Sequence, residues 1–175
     1  MADILLLFST TDGQTLRICQ RLEHVLVAAG HRTTLVSLDD DREIDLRPFD
    51  KIVIGASIRY GKHSRRVFEF IDRHLPLLES KANAFFSVNI VARKPEKNQP
   101  ETNPYVRKFL RQTAWRPRQV AVFAGKLDYP RYRFLDRLMI RLIMLITQGP
   151  TNPAQVYEFT DWQKVVEFGS RLGEI

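Results

Sequence analysis

At 175 residues the chain is long enough for one sizeable core and short for two, so a single domain over 1–175 is expected. Its 44% hydrophobic and 27% charged residues suit an ordinary globular protein, while the lone Cys19 excludes an internal disulfide and no Cys/His cluster has zinc-site spacing. The net charge of +7 calls for an anionic partner.

Residues 3–8 read as a buried parallel strand, because Ile4-Leu5-Leu6-Leu7 is a continuous apolar run without alternation. The stretch Phe8-Ser9-Thr10-Thr11-Asp12-Gly13-Gln14-Thr15 follows at its carboxyl end. A helix over about 14–29 comes next, with Ile18, Leu22, Val25 and Ala29 on one face and Gly30 as its stop. A hydroxyl-rich turn with a glycine, leading into a helix N-terminus, offers N–H groups, hydroxyls and the positive end of the helix dipole to one anion; a phosphate is expected. Residues 33–38 form the second strand, and Asp39-Asp40-Asp41 a solvated turn. Residues 51–56 form the third strand, which ends in Ser57-Ile58-Arg59-Tyr60-Gly61.

A helix over about 64–78, interrupted near Pro76, carries Val67, Phe68, Ile71, Leu75 and Leu78 at helical spacing. Residues 84–91 are the fourth strand, with Ser87 and Asn89 as a polar pair. Residues 93–104 are loop-like, 105–113 a basic helix and 119–124 the fifth strand. Apolar strands alternating with amphipathic helices argue an α/β doubly wound parallel sheet with helices on both faces. Before the closing helix, placed at 160–172 with Thr160 as its N-cap, lies an extra segment at about 126–155. Its centre, residues 134–146, holds ten apolar residues out of thirteen, broken by Asp136, Arg137 and Arg141. That run is shorter than the roughly 18 residues of a transmembrane helix. Pro150 and Pro153 end it, and residues 156–159 are expected to rejoin the sheet edge.

The basic residues cluster. Residues 93–118 carry eight Lys or Arg against Glu96 and Glu101, and 126–146 carry Lys126, Arg131, Arg133, Arg137 and Arg141 against Asp128 and Asp136, leaving the rest slightly acidic. Beside Phe134, Leu135, Leu138, Met139, Leu142, Ile143 and Leu145, the arginines make a helix suited to an anionic membrane interface; packing against the sheet or a second subunit is the alternative. Cations next to an apolar helix favour a membrane over nucleic acid, so no nucleic-acid partner is expected. No terminal run looks like a signal or transit peptide, and the expected location is the cytoplasmic face of the inner (plasma) membrane, peripherally bound. His24, His31, His63 and His74 lack ligand spacing, though His63 lies near Gly61. Cys19, Trp115 and Trp162 are expected to serve packing.

The stretches 8–15, 53–61 (Val53-Ile54-Gly55-Ala56-Ser57-Ile58-Arg59-Tyr60-Gly61), 87–97 (Ser87-Val88-Asn89-Ile90-Val91-Ala92-Arg93-Lys94-Pro95-Glu96-Lys97) and Tyr129-Pro130-Arg131-Tyr132-Arg133 carry a resemblance over nearly the whole chain. The chain resembles the flavodoxin superfamily and, within it, the menaquinone-dependent protoporphyrinogen oxidase family. The resemblance implies a flavodoxin-like five-stranded sheet of order 2-1-3-4-5, with the helical insertion associated with the fifth strand. It implies FMN as cofactor, with Thr10, Asp12, Gly13, Gln14 and Thr15 cradling the phosphate and Ser9 and Thr11 adjoining. Asp12 departs from the usual hydroxyl residue; it is expected to offer its N–H and to point its carboxylate away or cap the helix. Ser57, Ile58, Arg59, Tyr60 and Gly61 would flank the flavin ring, with Ile58 where an aromatic residue is common, and Ser87, Val88 and Asn89 would meet its polar edge.

The implied reaction is six-electron oxidation of protoporphyrinogen IX to protoporphyrin IX, in heme biosynthesis, with electrons passed to menaquinone or ubiquinone. No side chain is singled out as a general base. Arg93, Lys94, Lys97, Arg131, Arg133, Arg137 and Arg141 are candidate contacts to substrate propionates or membrane. An NAD(P)H:quinone reductase and an electron-carrier flavodoxin are the rival readings, although carriers are typically acidic, and homo-oligomerisation is left open.

Overall fold

A computed structural model describes residues 1–40 and 43–175. The Asp41 end of the expected solvated turn lies outside the described residues. The chain runs β1 (Asp3–Ser9), α1 (Gln14–Ala28), β2 (Arg32–Ser37), β3 (Lys51–Arg59), β4 (Lys62–His63), α2 (Arg65–Ser80) and β5 (Ala82–Asn89). It continues with two short 3-10 turns, then α3 (Pro104–Gln112), β6 (Gln119–Ala124), β7 (Lys126–Asp128), α4 (Phe134–Ile146), β8 (Val156–Glu158) and α5 (Trp162–Glu174).

The main sheet has the order β2-β1-β3-β5-β6, all parallel, which is the expected flavodoxin-like winding once the two-residue β4 is set aside. Its strands read as unbroken apolar runs because both faces are covered. Ile4, Leu6 and Phe8 of β1 pack under α1 and α5 with Ile18, Leu22, Phe168 and Leu172. Leu5 and Leu7 point the other way, into a layer with Val67, Ile71, Phe109 and the fully buried Trp115. Cys19 is buried in the first layer, and burial pushes its thiol well above its ordinary value, consistent with packing.

Local pattern and observed packing part company in several places. The buried stripe of α1 is Ile18, Cys19, Leu22 and Leu26; Val25 is half-buried against Gly169 of α5, and Ala29 is exposed. In α2, Phe70 is buried while Phe68 and Leu75 are only partly so. Helix α2 runs through Pro76 without interruption. Pro76 removes one N–H, and both it and Asp72, the residue whose carbonyl loses that partner, lie on the exposed face.

The closing helix begins at Trp162, capped by Asp161, whose carboxylate accepts from the N–H groups of Gln163 and Lys164. Thr160 is not the cap, because its hydroxyl donates to the Ala124 carbonyl and accepts from Gln14 Nε2. Residues 156–158 do not rejoin the main sheet; β8 pairs antiparallel with β7 in a separate ribbon.

Candidate functional site

The carboxyl ends of β1, β3, β5 and β6 open on one side of the sheet, and β1 and β3 bracket the point where the winding reverses. Ligands of open α/β sheets bind there. The phosphate-type loop fills that end of β1. Gly13 sits at φ +83° as the N-cap of α1, a conformation that a side chain would strain. Among the described residues no side chain caps the helix, and the Thr10 hydroxyl accepts from the Gly13 N–H. Asp12 therefore does not cap α1. Burial raises its carboxyl above the usual range, with Arg59 opposing and Asp128 and Asp136 reinforcing the shift. Asp39 is more than a solvated turn residue: its carboxylate accepts from Ser9 Oγ at 2.8 Å and from the Thr10 N–H at 2.9 Å, fixing the loop to the end of β2.

Two further loops complete one side of a cleft of about 230 Å³. After β3, Tyr60 and Gly61 both have positive φ, the geometry of a tight two-residue hairpin, and they return the chain to β4. Ser57, Ile58, Arg59, Tyr60 and Gly61 all line the cleft. After β5, Asn89 accepts from the Ala92 N–H, and Asn103, fully buried, donates from Nδ2 to Asn89 Oδ1 and to the Lys97 carbonyl. Those bonds hold the two 3-10 turns so that Arg93, Lys94 and Lys97 border the cleft.

Helix α4 closes the other side. Met139, Ile140, Ile143 and Met144 face the cleft, and a polar tie holds each end of the helix. At the N-terminal end, Asp136 accepts from Arg59 Nη2 at 2.9 Å and from the Tyr60 hydroxyl. At the other end, Arg93 Nη2 donates to both the Thr147 carbonyl and its hydroxyl, each at 3.1 Å. The opposite side of α4 is bare: Phe134, Leu135, Leu138, Leu142, Leu145 and Ile146 are 56–76% exposed.

Among the residues singled out from sequence, Thr10, Asp12, Gln14, residues 57–61, Val88, Asn89, Arg93, Lys94 and Lys97 line the cleft. Ser9 is buried against Asp39, and Gln14 turns its amide to Glu158 and Thr160. Thr11, Gly13 and Thr15 belong to the loop and first turn of α1 without lining the cleft. Ser87 lies behind it, its hydroxyl bonded to His63 Nε2 at 2.9 Å and to Asn89 Nδ2. His63 is packed edge-on against Phe85 and Phe109, and burial pushes its imidazole down to about 4, so it stays neutral near pH 7.

Arg137 and Arg141 donate to the Tyr132 and Thr151 carbonyls, while Arg131 and Arg133 are exposed. Sequence reasoning missed Asp39, the cleft-lining Tyr105 and Tyr132, and above all Asp136. A single carboxylate within thirteen otherwise apolar or cationic residues was the available signal for Asp136. Among the described residues no group of three or more His, Cys, Asp or Glu could hold a metal ion.

A flavodoxin-domain family model matches residues 5–154. The chain is 44% identical to a protein of Escherichia coli (strain K12) named protoporphyrinogen IX dehydrogenase (quinone), over 98% of this chain and 94% of that one. A Leishmania major protein of the same name is 42% identical, over 95% of this chain and 72% of its own. Oxidised flavodoxin 2 from Bacillus cereus superposes with a TM-score of 0.59 at 17% identity over 99% of each chain, a likeness of fold.

Proposed function

The chain belongs to the flavodoxin-fold family of quinone-linked protoporphyrinogen IX dehydrogenases, and from that premise we propose that its cleft holds FMN and oxidises protoporphyrinogen IX with a quinone as electron acceptor. The observation that carries this reading is the continuity of one cleft from the phosphate-type loop, past the β3 and β5 loops, to the apolar wall of α4 and the cations Lys94 and Lys97.

The residues present fit FMN. The Thr15 hydroxyl is fully buried in the first turn of α1, and among the described residues it has no hydrogen-bond partner and α1 has no side-chain cap. A buried hydroxyl without a partner is costly, and a phosphate would satisfy it together with the first-turn N–H groups. The loop from Thr10 to Thr15 would hold that phosphate, and Ser57–Gly61 with Val88 and Asn89 would border the ring. When bound, FMN would supply two-electron redox chemistry between the porphyrinogen and the quinone, used three times over for the six-electron oxidation.

The chain's own part is binding and exclusion of water. The apolar side chains of Ile58, Val88, Ile90 and Ile140 give a macrocycle a dry wall, and Lys94 and Lys97 offer charge to its propionates. The decisive experiment is anaerobic mixing of FMN-loaded protein with protoporphyrinogen IX. Flavin absorbance is expected to bleach and to return on adding quinone; a flavin bleached only by NAD(P)H would sink the reading in favour of a nicotinamide-linked reductase.

Ile58 bears on access. It is half-buried at the cleft, and an indole there would fill space that a substrate must enter. Ile58→Trp is expected to retain FMN and to lower kcat by about tenfold or more, because reacting atoms must approach within roughly 3.5 Å. Unchanged turnover would show that the substrate approaches elsewhere.

The bare face of α4 suits an anionic bilayer surface. Its leucines stand beside Arg131, Arg133 and Arg141, and each cation near such a surface contributes about 1 kcal/mol. No helix of the described residues is long and apolar enough to cross a membrane, so the fit is to lying on one. Replacing both Leu138 and Leu142 with Ser is expected to weaken co-sedimentation with phosphatidylglycerol vesicles by about a hundredfold, from roughly 1.5 kcal/mol of apolar burial lost per leucine. Equal sedimentation of the variant and the unmodified protein would rule out this face as the contact.

A further inference from the structure

We infer that α4 carries a track for the apolar tail of the quinone, running from the cleft to the bare face of the helix, with Met139 and Ile143 as the residues that make tailed quinones preferred over tailless ones. The inference rests on the proposed quinone-linked function and says where that acceptor binds.

Met139 and Ile143 both line the cleft, yet they are 46% and 45% exposed. Leu138 and Leu142, each next to one of them in sequence and about 100° round the helix, lie outside the cleft. Met139 and Ile143 stand four residues apart, one turn of helix above the other. Their neighbours Leu138 and Leu142 are also a turn apart and more exposed, at 57% and 56%. The apolar surface is thus continuous from the inside of the cleft, over the edge of α4, to its outer face.

A closed binding site would not need this. The inner side of the helix is anchored by Met144, which is 4% exposed and packs with Leu127 and Tyr129, so Met139 and Ile143 are not required to seat the helix. The ties at Asp136 and Thr147 hold the two ends of α4, leaving the turns between them as the apolar edge.

The chemistry of that edge suits one of the two substrates. A porphyrinogen brings two carboxylates, which match the cations Lys94 and Lys97 on the side of the 3-10 turns. An isoprenoid tail brings no polar group, and the flexible, polarisable methionine and branched isoleucine are suited to an irregular hydrocarbon chain. The reduced flavin would supply the quinone head with two electrons and two protons in the cleft, the flavin being oxidised and the quinone becoming the quinol, while the tail stays over the edge of α4.

The test isolates the oxidative half-reaction. FMN-loaded protein is reduced by dithionite titration without excess and mixed anaerobically with either 2-methyl-1,4-naphthoquinone or its congener bearing a two-isoprene tail, and flavin reoxidation is followed. The ratio of second-order rates, tailed over tailless, is expected to fall about tenfold in Met139→Ser and in Ile143→Ser, as expected for losing a small apolar contact. Both positions are half exposed, so both variants are expected to fold. An unchanged ratio, or equal loss with both quinones, would overturn the track.

Bleaching by protoporphyrinogen IX is measured in parallel. Slower bleaching in the variants with an unchanged tail ratio would assign the edge to the porphyrinogen and also overturn the proposal. Failure of the unmodified protein to bleach with protoporphyrinogen IX, alongside a normal tail ratio, would count against the porphyrinogen reading alone and leave the quinone track supported.

Discussion

Thr15→Val is expected to raise the melting temperature of the FMN-free protein and to weaken its hold on FMN, two effects of opposite sign from one atom. The Thr15 hydroxyl is enclosed and meets no partner among the described residues, so the cofactor-free protein bears the cost of that desolvation. Such a group costs about 1–3 kcal/mol, and valine keeps the shape and β-branching of threonine without the hydroxyl. Removing the hydroxyl should therefore raise the melting temperature by about 2–4 °C for each kcal/mol recovered.

With FMN bound, the same hydroxyl donates to a phosphate oxygen. A hydrogen bond to a charged group is worth about 1.5–3 kcal/mol, so the dissociation constant should rise by roughly ten- to a hundredfold. Calorimetry of the apoprotein and quenching of FMN fluorescence read the two effects separately. A stabilised apoprotein with unchanged FMN affinity would remove Thr15 from the phosphate site. Destabilisation of the apoprotein would show that the hydroxyl already has a partner in solution.

How much of this was legible in the sequence depended on whether the cause was local. The main strands were legible because strands buried on both faces are short apolar runs, and Ile4 to Leu7 is one. Helix α4 coincides with the apolar stretch because composition and following prolines set its limits. The role of Thr160 was not legible: Thr160 and Asp161 are adjacent residues of N-cap type, and although Asp is the better cap, local preference does not say what else Thr160 binds. What decides between them is the bonding of Thr160 to Gln14 and Ala124, far away in the chain.

Asp39 and Asp136 were hidden for the same reason. A carboxylate in a turn or helix has no periodicity that reveals a partner 30 or 77 residues distant, and Asp39 holds Ser9 while Asp136 holds Arg59. The loops expected to form the site were thus identifiable, while the carboxylates that fix their positions were not.

The largest effect on stability is expected where the loop after β3 is set, at Gly55. This residue is buried in β3 and pairs in register with Phe8 on one side and Phe86 on the other. The Phe86 ring lies over it so closely that a Cβ at Gly55 would stand 2.1 Å from Phe86 Cζ. The ring cannot simply swing away, because it is fully buried and wedged edge-on against Phe123 and Phe168. Gly55→Ala should therefore cost about 1–3 kcal/mol through overpacking, near the upper end because the obstacle is a rigid ring.

The cause can be isolated with a shorter side chain at 86. Phe86→Leu loses packing of its own but clears the space over Gly55, so the double variant should be less destabilised than the sum of the two single changes, by about 1–2 kcal/mol. Additive losses in urea unfolding would mean that the ring is not what excludes a side chain at 55. Gly55 lies two residues before Ser57, and the strain has its nearest outlet toward that open end of β3. FMN affinity should accordingly fall in Gly55→Ala and recover in the double variant, which would connect the packing beneath the sheet's central strand to the loop that borders the cofactor.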